Sequence, residues 1–224
     1  MIEICNLFFS YNKNQPYTLN NINLKIDKGQ YISILGENGS GKSTLMKLIL
    51  KLLKPNAGKI KVDTTKIGYV PQLLDSFNSA FPITIEEILK CHLKALKLRD
   101  TNSIHKALEI VGMEEYKKRL IGNLSGGQRQ KIFIARALMG YPELLILDEP
   151  STGVDIKSQR EIYSLLKDLN KTKNITIISV EHNLKAAIEN STHIFKLDKG
   201  KGTILTLNDY VKSEYYDEQS ELLF

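Results

Sequence analysis

Apolar and polar positions along the chain change rhythm several times, and each change predicts a different piece of architecture. Ile2–Phe9 and Ile22–Ile26 are short apolar or alternating stretches, which predicts strands of a small antiparallel sheet. Tyr31–Leu35 is an apolar run that stops at Gly36, as a buried strand does. Beyond Lys42, the residues Leu45, Leu48, Ile49 and Leu52 recur at three- and four-residue spacing, the stripe of a helix buried along one face, with Pro55 and Gly58 as its stop. Ile67–Val70 is a further strand, closed by Pro71.

From about Pro82 to Leu138 the texture is helical. Ile85, Ile88 and Leu89 keep the helical period, as do Ala107, Leu108 and Val111, and later Ile132, Ile134, Ala135 and Leu138. The alternation then returns: a strand at Leu144–Leu147, a helix at about Lys157–Leu169, a strand at Ile175–Val180, a helix at about Leu184–Asn190 and a strand at His193–Leu197, with a hairpin turn over Asp198–Gly202. Strands alternating with helices predict a parallel sheet. The expected fold is therefore α/β: a parallel-sheet core with an N-terminal antiparallel β subdomain, over about 1–81 and 139–209, an inserted α-helical subdomain at about 82–138, and a short C-terminal tail at 210–224 that is polar and acidic and packs little.

Composition narrows the classes. A chain of 224 residues, 42% apolar and 25% charged, suits one α/β domain with an insertion. The net charge of +6 is scattered lysine with no block of five like charges, so no nucleic-acid partner is expected. Cys5 and Cys91 have neither disulfide nor zinc-site spacing, which fits a reducing cytosol. No apolar run approaches the roughly 20 residues that span a bilayer, and the N-terminus has no signal-peptide pattern, so a membrane role is expected to come through a partner.

The chemistry begins at Gly36-Glu37-Asn38-Gly39-Ser40-Gly41-Lys42-Ser43, which fits G-x-x-x-x-G-K-[ST] between an expected strand and an expected helix. Glycines there aim successive N–H groups inward and the helix start adds a positive dipole end, which together cradle phosphate. Lys42 is expected to reach the β- and γ-phosphate oxygens, Ser43 to ligate Mg²⁺, and Thr44 to help hold the α-phosphate. Leu144–Leu147 ends in Asp148 and Glu149, and a parallel strand presents that edge to the ligand crevice. Asp148 is placed to bind Mg²⁺ and Glu149 to orient or deprotonate the attacking water. Leu124-Ser125-Gly126-Gly127-Gln128 is a second helix start rich in backbone N–H groups. One nucleotide does not need two cradles from one molecule, whereas two copies facing head to tail would use both. Taken singly, the acidic pair reads as a solvated strand end and the serine–glycine segment as an ordinary capped helix.

Taken in order, these motifs resemble those of ABC-transporter ATP-binding subunits over nearly the whole chain. Gly36–Ser43 matches the family's phosphate loop, which makes the expected core that of a P-loop NTPase. Gln72 in Val70-Pro71-Gln72 matches the glutamine-bearing loop, Leu124–Gln128 the signature motif and Asp148-Glu149 the acidic strand end. Thr152-Gly153-Val154-Asp155 matches the loop that touches the partner subunit, His182 the switch histidine and Tyr11 the adenine-stacking aromatic. The resemblance implies that Tyr11 stacks on adenine and that Gly36, Asn38, Gly39, Ser40, Gly41, Lys42, Ser43 and Thr44 hold ATP. It implies Ser43, Gln72 and Asp148 as the Mg²⁺ set, and Glu149, His182 and Lys42 as the catalytic groups. Ser125, Gly126, Gly127, Gln128 and Asp155 would act in trans. For Tyr11 a core aromatic, and for Asp155 a simple helix cap, are the competing readings. Where the family has Thr or Ser before the switch histidine and Asp after it, this chain has Glu181 and Asn183.

The resemblance further implies a homodimer of ATPase subunits on transmembrane permease subunits, peripheral to the cytoplasmic face of the cell membrane, with an extracytoplasmic solute-binding protein. Tyr69–Gln72, Phe81–Glu87, Ile121-Gly122 and Glu149–Asp155 resemble the corresponding segments of zinc and manganese importers. Import of an iron chelate or another small solute is the alternative. A soluble ABC ATPase acting on nucleic acid or ribosomes fits a chain of this length poorly.

Overall fold

A run of five residues with no exposed position needs cover on both faces, and three such runs fix the framework here. In a computed structural model, which describes residues 1–72 and 82–213, the chain runs through β1 (Ile2–Phe9), β2 (Leu19–Ile26), β3 (Tyr31–Leu35), α1 (Lys42–Ile49), β4 (Ala57–Val62) and β5 (Ile67–Val70). It continues through α2 (Ile85–Ala95), α3 (Asn102–Val111), α4 (Gly126–Leu138), β6 (Leu144–Asp148), α5 (Ile156–Lys173), β7 (Thr176–Val180), α6 (Leu184–Asn190), β8 (His193–Asp198) and β9 (Lys201–Thr206). Every residue of β3, β6 and β7 is buried. The chain divides into two compact units, one of Met1–Thr65 with Thr176–Phe224 and one of Lys66–Ile175.

In the first unit, β1 pairs antiparallel with β2 on one side and β4 on the other. Its buried positions begin at Ile2 and Ile4 and resume at Leu7 and Phe9. A bulge at Asn6, whose φ is 46°, inserts the residue that shifts the alternation and keeps the same face inward. Strands β7, β3 and β8 lie parallel in that order, and β9 folds back on β8 through a turn at Lys199 and Gly200. In the second unit β5 and β6 pair in parallel, with α3 and α5 against α4. Thr84 opens α2 with a capping box that also engages Glu87.

Two expectations need correction, and one strand had none. Helix α1 ends at Ile49, and Leu52 is 67% exposed instead of extending the buried stripe. Lys51 takes a left-handed φ of 58°, and the Leu52 N–H donates back to the Lys47 carbonyl at 2.8 Å, a helix stop made without glycine. Strand β4 was hidden because Ala57–Val62 is largely exposed and gains its order from pairing with β1. Of the stretch after Asp209, Tyr210 does pack: residues 207–213 are helical, and Tyr210 is 4% exposed against Leu35, Ala187 and Ile194, while 211–213 are exposed. Phe81 and the segment after Gln72, which carry part of the importer resemblance, lie outside the described residues, as do 214–224.

Truncating Tyr210 to Ala should lower folding stability by about 3 kcal/mol, the usual cost of deleting a buried aromatic ring. The midpoint of urea unfolding measures it, and an unchanged midpoint would remove the ring from the core.

Candidate nucleotide-binding site

The phosphate loop leaves the buried end of β3 and runs into α1. Gly41, the residue before that helix, has a φ of 106°, where an L side chain is strained, and a Cβ there would come within 2.7 Å of Leu19 Cδ2. It brings no side-chain cap to α1, so the helix start presents main-chain groups. Lys42 curls over the loop, its Nζ donating to the carbonyls of Gly36 at 2.7 Å and Glu37 at 2.9 Å. Glu37, Asn38 and Gly39 are exposed, and Ser40 is buried with an Oγ that has no hydrogen-bond partner among the described residues. A buried hydroxyl of that kind is costly unless a ligand meets it. Ser43 is exposed and Thr44 buried, where its Oγ1 lies 3.1 Å from the Tyr11 hydroxyl.

Tyr11 is 59% exposed, so it is not the core aromatic that was the competing reading. Its ring lies at 84° to that of Phe9 with centroids 5.0 Å apart, and more than half of the residue stays open to solvent. In the same unit His182 is exposed at the end of β7. Glu181 before it is 1% exposed and accepts a hydrogen bond from the Ser179 hydroxyl. Asn183 after it caps α6, accepting from the Ala186 N–H at 3.1 Å, which is the service an aspartate would give. His182, Glu181, Glu37, Gly36 and Asp198 line a cavity of about 610 Å³ whose wall includes Tyr210.

The second unit carries the two strand-end carboxylates, Asp148 and Glu149. Asp148 ends β6 at 9% exposure, and burial followed by the Asp148 charge pushes the Tyr69 phenol above its ordinary value. Glu149 follows with a φ of 50°, a left-handed conformation that non-glycine residues adopt at a cost. Its Oε2 accepts from Gln72 Nε2 at 2.6 Å and from Thr152 Oγ1 at 3.0 Å.

Ser125 and Gln128 form a capping box at the start of α4. The Ser125 Oγ accepts from the Gln128 N–H at 3.2 Å, and the Gln128 side chain accepts from the Ser125 N–H at 3.0 Å. The two glycines between them have a packing role that the sequence reading did not foresee. A Cβ on Gly126 would stand 2.7 Å from the Gly153 carbonyl oxygen, and one on Gly127 would collide with Ser158. Asp155 caps α5 by accepting from the Ser158 N–H at 3.0 Å. Within the chain, then, Asp155 is a helix cap. Gln159 was also missed: its Nε2 donates to the carbonyls of Ser151 at 3.1 Å and Val154 at 2.8 Å and so braces the loop. No spacing rule flags a lone glutamine inside a helix.

A nucleotide cradle on a strand–loop–helix, a strand ending in two carboxylates and a serine–glycine helix start define a nucleotide-hydrolysing cassette. The profile of the ABC transporter family matches residues 19–152. The chain belongs to that family as an ATP-binding subunit, an ATPase whose hydrolysis is coupled to transport. It is 48% identical to a Treponema pallidum protein named a probable metal transport system ATP-binding protein, over 96% of this chain and 90% of that one. It is 42% identical to the zinc uptake system ATP-binding protein ZurA of Listeria innocua, over 89% of this chain and 83% of that one. Among solved structures, a dimeric ATP-binding cassette bound to ADP and Pi in a post-hydrolysis state superposes with a TM-score of 0.76 at 28% identity, covering 92% of this chain and 99% of that one. Cassettes of this family bind nucleotide, dimerise and work with permease subunits. Among the described residues no helix is long and apolar enough to cross a membrane.

The Asp155 cap gives a pH signature. The Ser158 backbone N–H, followed by the Ser158 hydroxyl, holds the carboxyl below its ordinary value. Its folded pKa lies below its unfolded one, so the cap contributes stability at neutral pH and loses it on acidification. Asp155→Asn caps without ionising, so unfolding of this variant should depend less on pH between about 5 and 3 than wild type does. Urea midpoints across that range measure it, and parallel profiles would discard the assignment.

Proposed function

We propose that this chain drives import of a divalent metal ion, zinc or manganese. It would work as a head-to-tail homodimer on permease subunits at the cytoplasmic face of the cell membrane, with an extracytoplasmic solute-binding protein delivering the cargo. The observation that carries the cargo reading is the 42% identity to a zinc uptake ATP-binding protein over 89% of this chain. The importer-like segments Tyr69–Gln72 and Glu149–Asp155 support it. The subunit itself does not touch the ion.

In this reading Gly36, Asn38, Gly39, Ser40 and Gly41 offer the loop to the phosphates, with Ser43 and Thr44 at the helix start. Lys42 exchanges two carbonyls for β- and γ-phosphate oxygens, and Tyr11 turns its open face to adenine. Ser125, Gly126, Gly127 and Gln128 of a second copy, with its Asp155, close the pocket. The donor set fits Mg²⁺: the Ser43 hydroxyl, the Gln72 amide oxygen and the Asp148 carboxylate are hard oxygen ligands of the kind it takes. Gln72 uses its amide nitrogen on Glu149, which leaves the oxygen end for a metal. When bound, Mg²⁺ neutralises charge on the transferring phosphates. Glu149 takes a proton from the attacking water as the water oxygen bonds to the γ-phosphorus. The bond to the β–γ bridging oxygen breaks and its electron pair leaves with ADP. His182 hydrogen-bonds the γ-phosphate and Lys42 balances its charge.

Glu149→Gln should bind Mg-ATP, lose hydrolysis by at least about a hundredfold and accumulate as a dimer in size-exclusion chromatography. Ser125→Arg should abolish hydrolysis and spare nucleotide binding. A monomeric, fully active Glu149→Gln protein would refute the shared site. For cargo, a deletion strain should grow poorly when zinc or manganese is withdrawn, and normal growth under both starvations would reject the metal reading.

A further inference from the structure

We infer that Thr152 is the positioning residue of the general base: its hydroxyl sets the direction in which the Glu149 carboxylate meets the attacking water. The inference rests on the reading of Glu149 as that base. The loop containing Thr152 was matched to one that touches a partner subunit, which assigns this side chain no task inside its own chain.

A glutamate reaches its target through several rotatable bonds, and holding it in one geometry costs side-chain entropy unless fixed neighbours do so. Catalysis is sensitive to such placement. Thr152 Oγ1 donates to Glu149 Oε2 at 3.0 Å, and Gln72 Nε2 donates to the same oxygen at 2.6 Å. Two donors on one oxygen fix the rotation of the carboxylate and hence the direction of Oε1. The two donors differ in kind. Gln72 is far away in sequence and is the residue proposed to turn toward the metal. Thr152 lies on the same turn as Glu149, whose carbonyl accepts from the Thr152 N–H at 3.2 Å.

That turn is held from below. Gln159, on α5, grips the carbonyls of Ser151 and Val154 on either side of Thr152. Threonine is stiff about χ1, so a fixed backbone places its Oγ1 with little freedom. Glu149 departs from the strand in a left-handed conformation with φ 50°, which carries its side chain to the Thr152 hydroxyl. When Gln72 leaves, the threonine bond is the one that remains of these two.

The test compares steady-state Mg-ATP hydrolysis by the full chain and its variants. Thr152→Val keeps the shape and removes the hydroxyl. Its kcat should fall about tenfold, the effect of losing one hydrogen bond to a charged group, with KM for ATP within about twofold of wild type. Thr152→Ser should recover most of the rate. Thr152→Ala, also lacking the hydroxyl, should behave as Val does and covers the case in which Val disturbs folding. A Val or Ala variant with wild-type kcat overturns the inference, as does a loss that Ser does not recover or one confined to KM. Glu149→Gln is measured alongside. If that variant hydrolyses at the wild-type rate, the reading of Glu149 itself fails. If it is inactive while Thr152→Val is not, the positioning role alone fails.

Discussion

Phosphate is well solvated by water, and a protein competes for it by aiming many fixed dipoles at one point. That requirement dictates the first unit. The loop between β3 and α1 turns its main chain inward at Gly41, where a left-handed φ and the approach of Leu19 exclude any side chain. The loop must also be rigid, which is why it grows from a strand with no exposed residue. The same strand carries Leu35, against which Tyr210 and Ala187 pack, so the C-terminal helical stretch and α6 brace the root of the loop. His182 and its neighbours Glu181 and Asn183 stand at the start of α6, and the anchoring of that helix bears on how the histidine is presented.

The second unit answers a different constraint. A carboxylate that acts on water has to be aimed, and in the proposed reading the short turn that follows Glu149 does this. Strand β6 is buried along its whole length and ends in Asp148, after which the backbone changes hand. Thr152 and Gln72 take one carboxylate oxygen between them, and Gln159 secures the turn from α5. The two carboxylates proposed for metal and for water thus come from adjacent residues, one ending the strand and the other in a left-handed conformation.

Much of this was legible in the sequence. Buried strands appear as nearly continuous apolar runs, as at Tyr31–Leu35 with Ser33 its one polar residue, and the glycine-rich segment declares its geometry because few residues tolerate it. The ordered motifs allowed Tyr11, Gln72 and His182 to be named, which no local rule would single out. What stayed hidden has physical reasons. Strand β4 has little burial, so it lacks the alternation that announces a strand. Helix α1 stops at a lysine in a left-handed conformation, a termination that composition does not signal. Tyr210 sits in a polar stretch, and its spacing from the other tyrosines there gives no helical stripe. The bond from Thr152 to Glu149 and the grip of Gln159 depend on how a turn closes, which spacing alone does not encode.

Gly126 and Gly127 lie so close to Gly153 and Ser158 that no methyl group fits between them. The start of α4 therefore cannot shift without moving the turn that holds Glu149. If two copies pair head to tail as proposed, a push on that helix end in one molecule meets, through these close contacts, the turn that follows Glu149 in the same molecule.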